Sequence, residues 1–213
     1  APTGLLPGKD YTALVSSDNF GLGKIAAQGL SQHIPTGAQV GVLGFAADFF
    51  ATNEREIAFT KWLQVNRPDV TPRVRRFARI EDAAASTDDL LSANPDLAGL
   101  FVVWDTPALA AANRLAERAA TMPMATVDLG EAAAIALAQG DSFCCIAAQQ
   151  PFQQGIAAAQ TVILSLLGRP VPAWIALPGI GVTRDNVVES FQTVWRLPAP
   201  REVLRLLGLS RGN

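Results

Sequence analysis

At 213 residues, with 49% apolar and 17% charged side chains, the chain has the composition of a compact globular protein, not of a disordered or fibrous one. Its 17 Lys+Arg against 19 Asp+Glu leave a net charge of -2, which gives no sequence-wide attraction to a polyanion and makes nucleic acid an unexpected partner. The length suits one large or two small domains, at roughly 100 to 200 residues each, with a core that needs no covalent staples.

Tyr11 to Ser17 is a β-rich run, and Asp18 or Asn19 stands where a helix N-cap belongs, ahead of the apolar spacing Phe20, Ile25, Leu30. Val40 to Phe45 reads as a continuous apolar strand. Thr52 is placed to cap a helix running to about Asn66, with Ile57, Phe59, Trp62 and Leu63 as its buried stripe. Val74 to Phe77 is strand-like, and Arg73, Arg75, Arg76 and Arg79 around it read as a solvated face. A helix follows through Leu90 and Leu91, then the apolar strand Ala98 to Val103, a helix from Pro107 to about Ala120, the strand Met124 to Val127, and the alanine-rich helix 130–139. Phe143 to Ala147 closes the series. Strands apolar on both faces and alternating with helices predict an α/β fold: a doubly wound, mainly parallel sheet covered on both sides.

Residues 142–168 carry no charge, but Gln149, Gln150, Gln153, Gln154, Gln160 and Pro151 would lack partners in hydrocarbon, so a buried strand followed by a helix is expected instead of a membrane span. Helix 151–167 stops at Gly168, and the Pro-rich stretch 170–178 reads as an extended crossing segment. Asp185 to Val194 and Glu202 to Leu209 are expected helices. The two cysteines, Cys144 and Cys145, are adjacent in a strand, pointing to opposite faces in poor geometry for a disulfide. With the lone His33 at a helix end, they offer no metal site. Beginning at Ala1 with no methionine or leader, the sequence is expected to be processed or excised, so its location cannot be read from a signal.

In doubly wound sheets ligands bind beyond the carboxyl ends of the strands, near the point where strand order reverses. The positions there are Asp18 and Asn19, Ala46 to Arg55, Arg79, Trp104 and Asp105, Asp128, and Gln149 and Gln150. Aromatic rings, carboxylates, amides and a guanidinium on one rim suit a polyhydroxylated ligand, whose apolar face stacks on rings while its hydroxyls meet the polar groups. Catalysis is not expected. Gly21-Leu22-Gly23 and Gly41-Val42-Leu43-Gly44 are too short for a dinucleotide fingerprint, and no serine or cysteine stands beside a base.

Ser17-Asp18-Asn19, Asn53-Glu54-Arg55 within Gly44 to Phe59, Asn94-Pro95-Asp96 leading into Phe101 to Asp105, Val127-Asp128, and Ala148-Gln149 with Pro151 and Gly155 occur in this order. Together, from about residue 12 to 195, they resemble the ribose-binding type of periplasmic sugar-binding proteins of bacterial ABC importers. The resemblance implies a periplasmic substrate-binding component that takes a monosaccharide or polyol between two lobes, uses no cofactor, and presents the ligand to a membrane permease. It also implies that Arg55, Phe77, Asp128 and Gln149 contact the sugar. The chain departs from the pattern at Trp104, where an asparagine is usual, at Asn53, which replaces an arginine, and at Asp48-Phe49-Phe50, which replaces a small-residue loop. Trp104, Asn53, Asp48, Phe50 and Asn19 therefore join the candidate site. The division implied is a crossing segment at 1–12, a ligand-binding lobe at 13–149, a returning helix at 150–170 that packs on an N-terminal lobe most of which this chain is expected to lack, and a crossing strand with C-terminal helices at 171–213. Binding by one lobe alone is expected to be weak, and helix 151–167, with its apolar set unpartnered, is expected to self-associate or to dock on its own lobe. The effector-binding core of a Lac-repressor-like transcription regulator shares this architecture and stands as the alternative.

Overall fold

The computed structural model describes residues 4–209. Residues 1–3, at the start of the expected crossing segment, and 210–213, at the end of the expected C-terminal region, lie outside the described residues. In chain order the elements are β1 (Leu14–Ser17), α1 (Asn19–Ser31), β2 (Gln39–Phe45), α2 (Phe50–Asn66), β3 (Thr71–Phe77), a single 3-10 turn at Ile80–Asp82, α3 (Ala83–Ala93), β4 (Leu97–Val102), α4 (Asp105–Glu117), β5 (Met124–Val127), α5 (Glu131–Gln139), β6 (Phe143–Ala148), α6 (Pro151–Leu166), β7 (Trp174–Leu177), β8 (Ile180–Val182), α7 (Val187–Trp195) and α8 (Arg201–Leu206).

Six strands form the main sheet in the order β3-β2-β4-β5-β6-β8, parallel throughout except for the antiparallel edge pair β6 and β8. Helices α1 and α2 cover one face, and α3 and α4 the other. This is the doubly wound α/β sheet that the apolar strands predict: Val42, Leu43, Leu100, Phe101, Val102, Ala125, Val127, Ile146 and Ala147 are all buried. Strand order reverses between β2 and β4, because the chain runs outward from β2 to β3 and then crosses back to β4.

Several expectations are corrected in detail. The first strand is not part of the main sheet; β1 pairs in parallel with β7, from Leu14 opposite Trp174 to Ser17 opposite Leu177, in a separate two-stranded sheet. Asp18 does cap α1, accepting from the Gly21 N–H at 2.8 Å. Phe20 is exposed, and the buried stripe of that helix is Leu22, Gly23, Ala26, Ala27 and Leu30. Helix α2 begins at Phe50, and Thr52 does not cap it: its hydroxyl donates back to the Phe49 carbonyl. Ile57 faces solvent while Phe59 and Leu63 are buried, with Phe59 stacked on Phe101 of β4 at 4.1 Å between ring centroids. The arginines of β3 are exposed and answered by neighbours, Arg73 by Gln39, Arg75 by Asp89 and Arg76 by Glu56. Both cysteines are free, and burial pushes the thiol of Cys144 up to about 12 and that of Cys145 up to about 11.

Helix α6 leaves the rim beside β1, β7 and α7, and does not fold back over the sheet. Thr161 is its only buried residue, and Phe152, Ile156, Val162, Ile163, Leu164 and Leu166 are exposed. Among the described residues no helix is long and apolar enough to cross a membrane.

Candidate ligand-binding site

The carboxyl-end rim is built from the polar and aromatic residues that end or follow apolar strands. β1 ends in Ser17 and leads into Asn19; β2 ends in Phe45; β4 is followed by Trp104, β5 by Asp128 and β6 by Gln149. Arg55 reaches this rim from the second turn of α2. Its helix can approach α1 closely because residue 23 is glycine: a Cβ there would lie 2.3 Å from the Arg55 carbonyl oxygen.

Arg55 is buried to 4% exposure, and its guanidinium is the hub of the site. Its Nε–H donates to Asn19 Oδ1 at 3.0 Å, and Nη1 donates to the Val103 carbonyl at 3.0 Å and to Asp128 Oδ2 at 3.1 Å. Nη2 donates to Asp128 Oδ1 at 3.4 Å, completing a fork on the carboxylate. Asp128 also accepts from Gln149 Nε2, while Gln149 Oε1 accepts from Ser17 Oγ at 2.6 Å. Ser17 Oγ in turn accepts from Gln154 Nε2 at 2.7 Å. A continuous relay thus links α6, β1, β6, β5 and α2. Four of the five guanidinium hydrogens are engaged within it, leaving one on Nη2 for a further acceptor.

An apolar wall stands opposite. The Trp104 ring meets Phe45 edge-on at 5.3 Å and lies 5.2 Å from Phe77, and Phe49 and Ile80 extend the surface toward the mouth. The cleft between wall and relay has a volume of about 610 Å³. Arg55 and Asp128 are the only charged groups among its described lining residues and they neutralise each other, so the cleft presents an overall neutral, mutually hydrogen-bonded set of donors and acceptors beside aromatic faces. Among the described residues no cluster of His, Cys, Asp or Glu could hold a metal ion.

Of the sequence candidates, Arg55, Trp104, Asp128, Gln149 and Asn19 converge on this cleft. Phe77 does not line it: at 1% exposure it lies behind Trp104 and buttresses that ring. Asp48 and Asn53 are bonded to each other at 2.7 Å beside a neighbouring hollow, next to Glu56 and Arg76. Phe50 turns the other way, toward Tyr11 and Trp174. Phe45 and Ser17 also line the cleft without being among the sequence candidates; the signal for both is their place as the last residue of a strand. Gln154 carries no such mark, since only the fold brings the first turn of α6 back to Ser17.

The sequence profile of the family described as periplasmic binding protein domain matches residues 3–170. No curated protein matches the chain. Among solved structures it is similar to an ABC transporter solute-binding protein from Mycobacterium smegmatis with bound glycerol, at 25% identity and a TM-score of 0.76 over 92% of this chain and 68% of that one. It is also similar to two such proteins from Agrobacterium vitis. The one with bound α-D-tagatopyranose gives 23% identity and a TM-score of 0.79 over 93% of this chain and 66% of that one. The one with bound allitol gives 26% identity and a TM-score of 0.69 over 83% of this chain and 64% of that one. The chain therefore spans about two thirds of the length of the solved structures it matches.

Proposed function

The chain belongs to the periplasmic binding protein domain family, and on that premise we propose that it serves as the ligand-holding lobe of the substrate-binding component of an ABC importer, taking a monosaccharide or polyol. The observation that carries this reading is the Arg55–Asp128–Gln149 relay set against the Trp104–Phe45 wall at the reversal point of the sheet. A pyranose or an extended polyol lays its C–H face on the indole, and its adjacent hydroxyls donate to Asp128 and accept from the remaining Nη2 hydrogen of Arg55. The groups of the relay hold one another in place through their own hydrogen bonds, so little side-chain entropy is lost on binding. Glycerol, α-D-tagatopyranose and allitol in the similar structures are neutral polyhydroxylated molecules of the kind such a site admits.

The division of labour follows the same premise. Residues 13–149 form the ligand-binding lobe, the 150–170 helix packs against a second body of chain such as the solved relatives include, and β1 with β7 makes the crossing between the two bodies. Closure of the second body over the cleft would exclude water and supply the remaining contacts, so this chain alone binds weakly. The action is in the periplasm, where the loaded protein meets a membrane permease; no bond is made or broken.

The test is a tryptophan-fluorescence titration of this chain, carried to millimolar ligand, against pentoses, hexoses, linear polyols and the corresponding sugar acids. A saturable response to a neutral member, weakened at least about tenfold by Asp128→Asn through loss of charge-assisted hydrogen bonds, is expected. Silence across the panel would overturn the reading.

A further inference from the structure

Asp128 holds a backbone conformation that L residues seldom adopt, with φ at +74°. Such a geometry persists where the surroundings over-determine it. The two residues that follow supply the restraint. The Leu129 carbonyl accepts from the indole Nε1–H of Trp195 at 2.7 Å, and the Gly130 N–H donates to Asp105 Oδ2 at 3.1 Å. The turn is therefore gripped from the end of α7 on one side and the start of α4 on the other, while the Asp128 N–H continues the ladder to Ala147 at 3.0 Å.

Both grips are themselves anchored. Trp195 ends a helix whose Phe191 and Val194 are buried, with the Phe191 ring 6.4 Å from the indole. Asp105 approaches the turn closely because residue 130 is glycine, where a Cβ would lie 2.6 Å from its Oδ2. Its carboxyl group sits there although burial, and then the neighbouring Asp128 carboxylate, push its pKa up.

We propose that Asp105 and Trp195 are positioning residues for Asp128, holding the 128–130 turn so that its carboxylate meets Arg55 and Gln149. The inference rests on reading Asp128 as a ligand group. Neither residue lines the cleft, and Trp195 comes from beyond residue 170, where the family profile ends. Helix α7 thus reaches the turn beside the binding site through the indole hydrogen bond of Trp195.

The test needs no ligand. In ¹⁵N-labelled chain the Arg55 Nε–H, buried and bonded to Asn19, and the Asp128 amide report the geometry of the site. Trp195→Phe removes the donor and keeps a ring; Asp105→Ala removes the acceptor; Asp105→Asn keeps an acceptor oxygen without the charge. Trp195→Phe and Asp105→Ala are expected to shift both reporters and to speed exchange of the Arg55 Nε–H about tenfold, as for one lost hydrogen bond. Asp105→Asn is expected to retain the parent signals, which a need for the charge would not produce. Parent-like reporters in Trp195→Phe, or an Asp105→Asn spectrum disturbed as far as that of Asp105→Ala, would overturn the positioning role. Should Asp105→Ala fail to fold, the other two variants decide. A silent sugar titration overturns the ligand role of Asp128, and with it the purpose of the grip; parent-like reporters overturn the grip alone.

Discussion

Helices α1 and α6 both start at the ligand rim after a strand, and both carry a strong apolar stripe, yet they end in opposite environments. α1 turns back across the sheet and buries Leu22, Ala26, Ala27 and Leu30 completely. α6 runs beside the two-stranded β1 and β7 sheet and leaves Val162, Ile163, Leu164 and Leu166 exposed, the last at 82%. An amphipathic stripe therefore reports that a surface is suited to being covered, and only the path of the chain decides what covers it. The rim between the two helices carries polar groups from both sides: its α1 side, through buried Asn19 and Arg55, is locked, while its α6 side is held by the half-buried Gln154, which donates to Ser17.

The comparison breaks first at leucine truncation. Leu22→Ala in α1 is expected to cost about 2–5 kcal/mol in urea denaturation, whereas Leu166→Ala in α6 stays within about 0.5 kcal/mol of the parent. Equal losses would mean that α6 is covered. A complementary variant, Leu166→Ser, is expected to lower the weight-average mass in sedimentation if exposed α6 faces pair between copies, without moving the melting temperature. An unchanged profile at all concentrations would leave self-association through α6 without support.

The locked side of the rim offers the next effect. Asp128→Ala leaves the Arg55 guanidinium buried without its carboxylate, and removing one partner of a buried pair costs about 3 kcal/mol, less to the extent that the 28% exposed Asp128 is already hydrated. A loss below about 0.5 kcal/mol would show that water replaces the carboxylate freely, and that the pair is a surface pair in energetic terms.

The smallest effect concerns Asp105. Burial, and then Asp128, raise its folded pKa above the unfolded value, so its stabilising contribution is present at low pH and is lost as pH rises through the folded pKa. Asp105→Asn does not titrate. Its melting temperature should therefore gain on that of the parent as pH is raised from 3 to 7, with the gap closing at the acid end. A gap that widened toward acid would reverse the sign of the shift.

Much of this fold is legible in the sequence because buried parallel strands are apolar on both faces; Val40 to Phe45 and Ala98 to Val103 admit little else. The rim was legible for the same reason, since polar residues directly after such strands, Asp128 and Gln149 among them, must lie at one edge. What the sequence left unread is tertiary. Pairing of β1 with β7 joins residues about 160 apart, beyond any local pattern. Phe77 sits where a ligand-facing aromatic was expected, but the indole of Trp104 lies in front of it, so that bulk at one position displaced a neighbour from the cleft. Helix α2 starts ahead of Thr52 because Phe50 and Ala51 already take helical geometry, and no propensity difference marks that boundary. The indole bond from Trp195 to the Asp128 turn depends on a contact 66 residues apart and has no sequence signature.

The most direct test of the central claim, that the Arg55–Asp128 rim holds a neutral polyhydroxylated ligand, lies in the four indole N–H resonances of Trp62, Trp104, Trp174 and Trp195. Followed by ¹⁵N NMR during titration with the best-responding sugar or polyol, the Trp104 signal should move saturably together with the Arg55 Nε–H, while that of Trp62, about two turns further along α2 and outside the cleft lining, stays in place. Movement confined to Trp174, or no movement of Trp104 while ligand binds, would place the ligand elsewhere and contradict the account.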